Sequence, residues 1–187
     1  HTRVMPTSKP FFYDFKWAGE GFPFDYFQNS VLWAGTPVFV SHQSRDGGWL
    51  FVESGLVSGW VQAHDIGFVD GDFTARYRTG SYAAVTDDET SLKALDGQYL
   101  SQGRIGSVFP VEDRNEGGMT LLVPARDQYG TAVIARARVS PDVAVVKPLP
   151  FNLPNAALVS RQVVGELYGW GGLYGNRDCS AMLHDIM

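Results

Sequence analysis

Cysteine is almost absent from this sequence: one residue in 187, Cys179, and a single thiol cannot close an intramolecular disulfide. Histidine is scarce too, with four residues, and no Cys and His group stands at metal-ligand spacing, so a metal site and a cofactor are not expected. Basic residues are outnumbered, 15 against 20 acidic, and they form no run. Phosphate binding needs concentrated Lys and Arg, so nucleic acid is not an expected partner. No stretch approaches the roughly 20 apolar residues needed to span a bilayer, which leaves no expected transmembrane segment.

What is present is aromatic and apolar. Aromatics at 13% within a 44% hydrophobic composition argue for a folded chain. From about Thr36 short runs of alternating character begin: Pro37 to Ser41, Trp49 to Glu53, and Gly59 to Gln62. Asp46-Gly47 and Ser54-Gly55 separate them, and Asp-Gly is a strong hairpin signal. Short strands at close spacing predict a small curved barrel over 30–70. A second β-rich block over 71–147 has strand-like runs at Leu92–Leu100, Ser107–Val111, Met119–Pro124 and Thr131–Ala137, with Asp96-Gly97, Glu116-Gly117-Gly118 and Tyr129-Gly130 as turns. It reads as a second, divergent barrel. Residues 1–29, rich in Phe, Pro and Gly, read as an extended arm packed by its aromatics, with a short helical turn at Tyr26-Phe27-Gln28.

Lys147-Pro148-Leu149-Pro150 favours extended backbone and suits a linker. Val159, Val163, Val164 and Leu167 share one helical stripe, which predicts an amphipathic helix over Asn155–Tyr168. The densest glycine cluster, Tyr168-Gly169-Trp170-Gly171-Gly172, comes next, then Asn176-Arg177-Asp178-Cys179-Ser180-Ala181. Met182, Leu183, Ile186 and Met187 follow at helical spacing, so Cys179 sits where a helix begins, with Asn176 or Asp178 as its cap. A helix N-terminus stabilises thiolate over thiol, which makes Cys179 a candidate nucleophile. A lone cysteine is otherwise most often a small buried hydrophobe.

Tyr-x-x-Gly-Gly, a short loop and Asp-Cys-Ser together resemble the active-site signature of the NlpC family, papain-like bacterial cysteine peptidases that cut peptidoglycan stem peptides. The order Gly-Thr-Pro-Val, turn, Gly-Trp-Leu-x-Val, turn, Gly-Trp-Val, His-Asp-Ile at 35–66 resembles a bacterial SH3 domain, often found upstream of such catalytic domains. The resemblance implies a mainly β chain: two small SH3-like barrels followed by the first helices of a papain-like α+β domain over 148–187. It assigns Cys179 as nucleophile and Tyr168 to oxyanion stabilisation, with Asp178 and Ser180 near the amino end of the substrate; helix capping is an equally good reading of Asp178. Ala181 replaces the usual glycine of Asp-Cys-Ser-Gly and is small enough to matter little.

The base is expected elsewhere. His184 lies five residues after Cys179, about 140° around the helix and about 7.5 Å along it, facing away. His42 and His64 read as exposed polar residues of the first barrel. The family's base is a histidine from a later strand, so the expected partner is the remainder of the catalytic domain beyond Met187. The chain then reads as a fragment, inactive alone, with Met182, Leu183, Ile186 and Met187 needing a covering sheet. Trp33, Trp49 and Trp60 have two readings, as a ligand-binding groove or as filling for the barrel core and mouth, and Tyr77 and Tyr82 share the ambiguity.

Three functions remain open. The first is a stem-peptide endopeptidase of the gamma-D-glutamyl-diamino acid type, taking peptidoglycan-derived peptides in the periplasm or cell envelope, as the resemblance implies. The second is a non-catalytic wall-binding SH3-like module. The third is a thiol enzyme that transfers acyl or amide groups instead of hydrolysing them.

Overall fold

The computed structural model describes residues 1–187 and divides into two compact units. The first comprises His1–Leu32, Pro37–Ile66 and Gly165–His184; the second comprises Trp33–Thr36, Gly67–Val164 and Asp185–Met187. The fold is mainly β, with two SH3-like sheet domains and a few helices toward the C-terminus. No helix is long and apolar enough to cross a membrane.

In the first unit, β1 (Thr2–Arg3), β2 (Gln28–Ser30), β3 (Phe39–Gln43), β4 (Trp49–Glu53) and β5 (Ser58–Gln62) form one antiparallel sheet in the order β2-β1-β5-β4-β3. The β3–β4 turn is closed by Asp46, whose Oδ1 accepts from Ser44 Oγ at 2.6 Å and Gly48 N at 3.0 Å. Strand alternation puts Leu50, Val52 and Val61 into the core, against Leu32, Val38, Val40, Ala63 and Ile66. Trp49, Phe51 and Trp60, being out of phase with them, turn the other way.

A bulge in β3 follows Val40, so that Val40 opposes Val52 while His42, not Ser41, opposes Phe51. His42 then stacks on Phe51 at 5.1 Å and meets Trp60 edge-on at 5.1 Å. The aliphatic side chains of Leu50, Val52 and Val61 fill the interior of this sheet, while Trp33, Trp49 and Trp60 are each half-buried.

The N-terminal segment adds β1 and β2 to the sheet because a buried ion pair holds it there. Arg3 Nη2 lies 3.0 Å from Asp25 Oδ2, with side chains 9% and 4% exposed. Arg3 Nη1 also donates to Gln28 Oε1 at 2.8 Å. Asp25 Oδ1 accepts from Phe11 N and Phe27 N, at 2.9 and 3.0 Å. Around this centre Phe11 stacks on Phe27 and Tyr13 meets Tyr26 edge-on. Tyr26 and Phe27 form a single hydrogen-bonded turn, Gln28 N donating to Asp25 O at 2.9 Å, and Gln28 then opens β2, with Arg3 as its register partner in β1.

In the second unit α1 (Gly71–Tyr77) precedes β6 (Tyr82–Val85), β7 (Thr90–Lys93), β8 (Tyr99–Gly103), β9 (Val108–Asn115), β10 (Gly118–Arg126), β11 (Ala132–Val139) and β12 (Ala144–Val146). Five strands run in the order β11-β10-β9-β6-β12, and β7-β8 form a separate hairpin. Leu92, Phe109, Leu121 and Val123, almost without exposure, anchor its core. The β-rich block also holds one short helix, α1, whose cap is Asp70: its side chain accepts from Phe73 N at 2.7 Å.

The helix expected over Asn155–Tyr168 is shorter and shifted. The segment α2 (Leu153–Ser160) starts at Asn152, whose side chain accepts from Asn155 N, and Arg161–Val163 tightens into a 3-10 turn. Gly165 at φ +91° then ends any helical path. Of the predicted stripe only Val159 is buried; Val164 and Leu167 are 80% and 76% exposed.

Candidate functional site

The predicted site residues all fall on one loop and the helix after it, α3 (Cys179–Ile186). Cys179 is the first helical residue, and its free thiol is exposed. Asp178 provides the cap: its Oδ1 accepts from Ala181 N at 2.9 Å and from Ser180 Oγ at 2.8 Å, while Met182 N donates to its carbonyl at 3.0 Å. Of the two candidate caps Asn176 is not used; its N–H closes a turn onto Leu173 O instead. Partial burial pushes the Asp178 carboxyl up, yet hydrogen bonds from the N–H of Ala181, the hydroxyl of Ser180 and the N–H groups of Gly171 and Ser180 outweigh it and hold it below the usual carboxylate value.

The loop in front of the helix is shaped by its glycines. Gly171 and Gly172 stand at φ +55° and +85°, and both press on the segment that begins with β2. A Cβ on Gly171 would lie 2.8 Å from the Gln28 carbonyl oxygen, and one on Gly172 would overlap Val31 Cγ2. These two positions therefore require glycine for both conformation and space. Gly169 N donates to Arg177 O at 3.0 Å, which closes the loop at its base. Trp170, between the glycines, packs edge-on against Phe24 at 5.4 Å and tilted against Tyr26 at 6.1 Å. Arg177, 5% exposed, pairs with Glu166 at 3.1 Å across the same base.

This closure brings Tyr168 back toward the helix start. Its phenol is pushed above its usual pKa by desolvation and then by the charges of Cys179 and Asp178, so the three groups share one electrostatic neighbourhood. Tyr168 is 52% exposed and its ring is open to solvent. A polar hydroxyl beside a thiol at a helix N-terminus can stabilise negative charge developing on a substrate oxygen.

Sequence reasoning missed the supports of the loop: the Glu166–Arg177 pair, the docking on Gln28 and Val31, and Tyr174 in the left-handed region at φ +59°. Only the glycine spelling hinted at them, since close approach cannot be read without the partner strand. Among the histidines, His184 is exposed on α3, His42 belongs to the aromatic cluster of the first sheet, and His64 lies 3.4 Å from Asp65. Trp49 lines an open cavity of about 310 Å³ in the first unit, along with Arg3, Gln28, Gln62 and Tyr174. The groove reading of Tyr77 is corrected: its hydroxyl is buried with no partner, and burial raises its pKa.

Residues 10–62 match the family model of an SH3 domain of the SH3b1 type, and residues 70–116 match that of an SH3 domain of the SH3b2 type. The chain thus carries two bacterial SH3 domains in tandem. Among solved structures it is similar to a novel NlpC/P60 endopeptidase from Photobacterium damselae subsp. piscicida, at 31% identity and a TM-score of 0.83. The similarity covers 99% of this chain and 40% of that one, so the chain spans well under half the length of the solved protein. No curated protein matches the sequence.

Proposed function

We propose that this chain is the SH3 and nucleophile-bearing part of a cell-wall cysteine endopeptidase that cuts peptidoglycan stem peptides between gamma-D-glutamyl and the diamino acid. The observation that carries the reading is an exposed thiol on the first residue of a capped helix, beside Tyr168. It occurs in a chain whose whole length resembles an NlpC/P60 endopeptidase. The Cys179 thiolate attacks the amide carbonyl carbon, and the Cys179 N–H with the Tyr168 hydroxyl holds the oxygen that becomes negative. The tetrahedral adduct collapses by breaking the C–N bond, and the leaving amine takes a proton from a histidinium beyond residue 187. Water, deprotonated by the same histidine, then hydrolyses the thioester and restores the thiol. Asp178 orders the helix start, and with Ser180 it faces the amino end of the substrate.

The two SH3 domains favour a second role in the same molecule, binding to the cell wall, and support an extracellular or cell-envelope location. Binding of that kind survives Cys179→Ala. The test is hydrolysis of a gamma-D-glutamyl-diamino acid peptide by the complete protein. Cys179→Ala is expected to abolish cleavage and His184→Gln to leave it within a few fold. Cleavage that persists without Cys179 refutes the peptidase reading, and loss in the His184 variant with its fold intact refutes the assignment of the base.

A further inference from the structure

Strand phase in the first unit gathers polar and aromatic side chains on one face of the sheet. Trp49 and Gln62 are cross-strand partners in β4 and β5, while Arg3 is partnered by Gln28 in β2 and by Trp60 in β5. Cross-strand partners share a face, and so do Trp60 and Gln62, two residues apart in one strand. Arg3, Gln28, Trp49 and Gln62 line the cavity of about 310 Å³ there, with Ser8 and with Tyr174 from the glycine loop. That volume lies within the range of about 300–1,000 Å³ found for small-molecule sites. None of Tyr168, Asp178, Cys179 and Ser180 lines it.

The wall has a distinct chemical character. Its charged groups are already answered: Arg3 pairs with Asp25 at 3.0 Å and donates to Gln28 Oε1 and Lys9 O at 2.8 and 2.9 Å, and His64 stands 3.4 Å from Asp65. What is left uncommitted is neutral. The Ser8 hydroxyl, the Gln62 amide, the Trp49 indole N–H and the Tyr174 hydroxyl have no hydrogen-bond partner within the chain. Arg3 Nε is also buried without a partner, where a buried donor ordinarily has an acceptor. Tyr174 adds a second sign. At φ +59° it adopts a left-handed conformation that costs a bulky L-residue free energy, and with its side chain largely in solvent, at 76% exposure, packing does not offset that cost. A strained, exposed aromatic on a cavity wall is accounted for by what its ring meets there.

We propose that this cavity binds a neutral, N-acetylated sugar ring of a glycan strand, its C–H face on Trp49 and Tyr174 and its hydroxyl and acetamide groups on Gln62 and Ser8. An aromatic face is electron-rich and attracts the C–H hydrogens of a sugar ring, while the rim of the ring stays polar. Amide and hydroxyl side chains both donate and accept, which matches sugar hydroxyls and an acetamide group for group. A stem peptide fits this wall poorly, because a gamma-linked glutamyl residue carries a free α-carboxylate and the Arg3 guanidinium is committed to Asp25. The proposal deepens the wall-binding reading of the SH3 domains and rests on it for the source of the sugar; the recognition chemistry rests on the cavity.

The experiment titrates the N-acetylglucosamine trisaccharide into the complete protein carrying Cys179→Ala, by calorimetry, beside a gamma-D-glutamyl-diamino acid peptide and sedimentation with intact peptidoglycan. Trp49→Ala and Tyr174→Gly are each expected to weaken trisaccharide binding about tenfold, as befits loss of one stacked ring, and Gln62→Ala about fivefold, as befits one net hydrogen bond. Tyr174→Gly discriminates further, because glycine adopts the left-handed conformation freely: its urea midpoint stays at or above that of the parent while its binding falls. A neutral ligand also keeps its affinity within about twofold between about 0.05 and 0.5 M salt. Absence of trisaccharide binding, or binding unchanged in Trp49→Ala and Tyr174→Gly, overturns the site. So does displacement of the trisaccharide by the peptide with a salt-dependent affinity. A Tyr174→Gly variant that loses stability together with binding overturns the role given to the strained ring. Sedimentation with peptidoglycan without trisaccharide binding overturns the sugar site and keeps the wall-binding reading; trisaccharide binding without sedimentation upholds the site and overturns that reading.

Discussion

Replacing Gly172 by alanine separates conformation from space in the glycine loop. At φ +85° an L-residue costs about 1 kcal/mol relative to glycine. The new methyl would also overlap Val31 Cγ2, and valine, stiff at χ1, cannot swing away, so overpacking adds about 1–3 kcal/mol. Together these give a loss of about 2–4 kcal/mol. With a urea m-value of about 2 kcal/mol/M, that is a fall of about 1–2 M in the unfolding midpoint of the first unit. The Val31→Ala background removes the overlapping Cγ2 and leaves the conformational cost with the 3.2 Å approach to Val31 N. There Gly172→Ala should cost about 1 kcal/mol, near 0.5 M. Gly171→Ala differs, since its obstacle is the Gln28 carbonyl oxygen at 2.8 Å and no side-chain truncation at Gln28 relieves it. Urea unfolding followed by tryptophan fluorescence, with Trp170 in the loop, reads all four variants. An equal cost for Gly172→Ala in both backgrounds refutes the steric account, and a cost below about 0.5 kcal/mol refutes the left-handed requirement as well.

Asp178→Ala removes the cap of α3 and should cost about 1 kcal/mol at neutral pH. Because the Asp178 carboxyl lies below its unfolded value of about 3.9, its contribution is complete above that pH and is lost as pH falls through the lower folded value. Parent and variant unfolding curves should therefore converge in acid, and a difference that grows there contradicts the assignment. Leu121→Ala opens a cavity at a fully buried site of β10 and should cost about 2–5 kcal/mol in thermal or denaturant unfolding. A cost below about 1 kcal/mol would mean that the second unit's core is not where Leu121 stands.

Much of the fold was legible because it is local. The alternation of Trp49 to Glu53 and Gly59 to Gln62, with Asp46-Gly47 between strands, implies the β3-β4-β5 meander, since period two and a turn signal need no distant partner. The helix start at Cys179 was legible for the same reason: a capping Asp178 followed by apolar residues at i+3 and i+4 is a short-range pattern. The spelling of the site, Tyr168 through Ser180, also lies within one short stretch of chain.

What the tertiary structure decided depends on distant groups. Arg3 and Asp25 bring the N-terminal segment into the first sheet, an outcome set by a buried ion pair that no hydrophobic period reveals. Val164 and Leu167 continue the helical spacing of Val159 and Val163 yet stay outside a helix, because the path ends at Val163 and Gly165 breaks it, and both side chains stay exposed. Strand phase turns Phe51 and Trp60 away from the core, and a one-residue bulge in β3 brings His42 onto the same face to meet them. Sequence alone placed Tyr168, Asp178, Cys179 and Ser180 on one short stretch and showed that a helix begins at Cys179. Only the folded chain decided how the loop in front of that helix is held, Gly171 and Gly172 against Gln28 and Val31, since close approach is a property of two segments and not of either one.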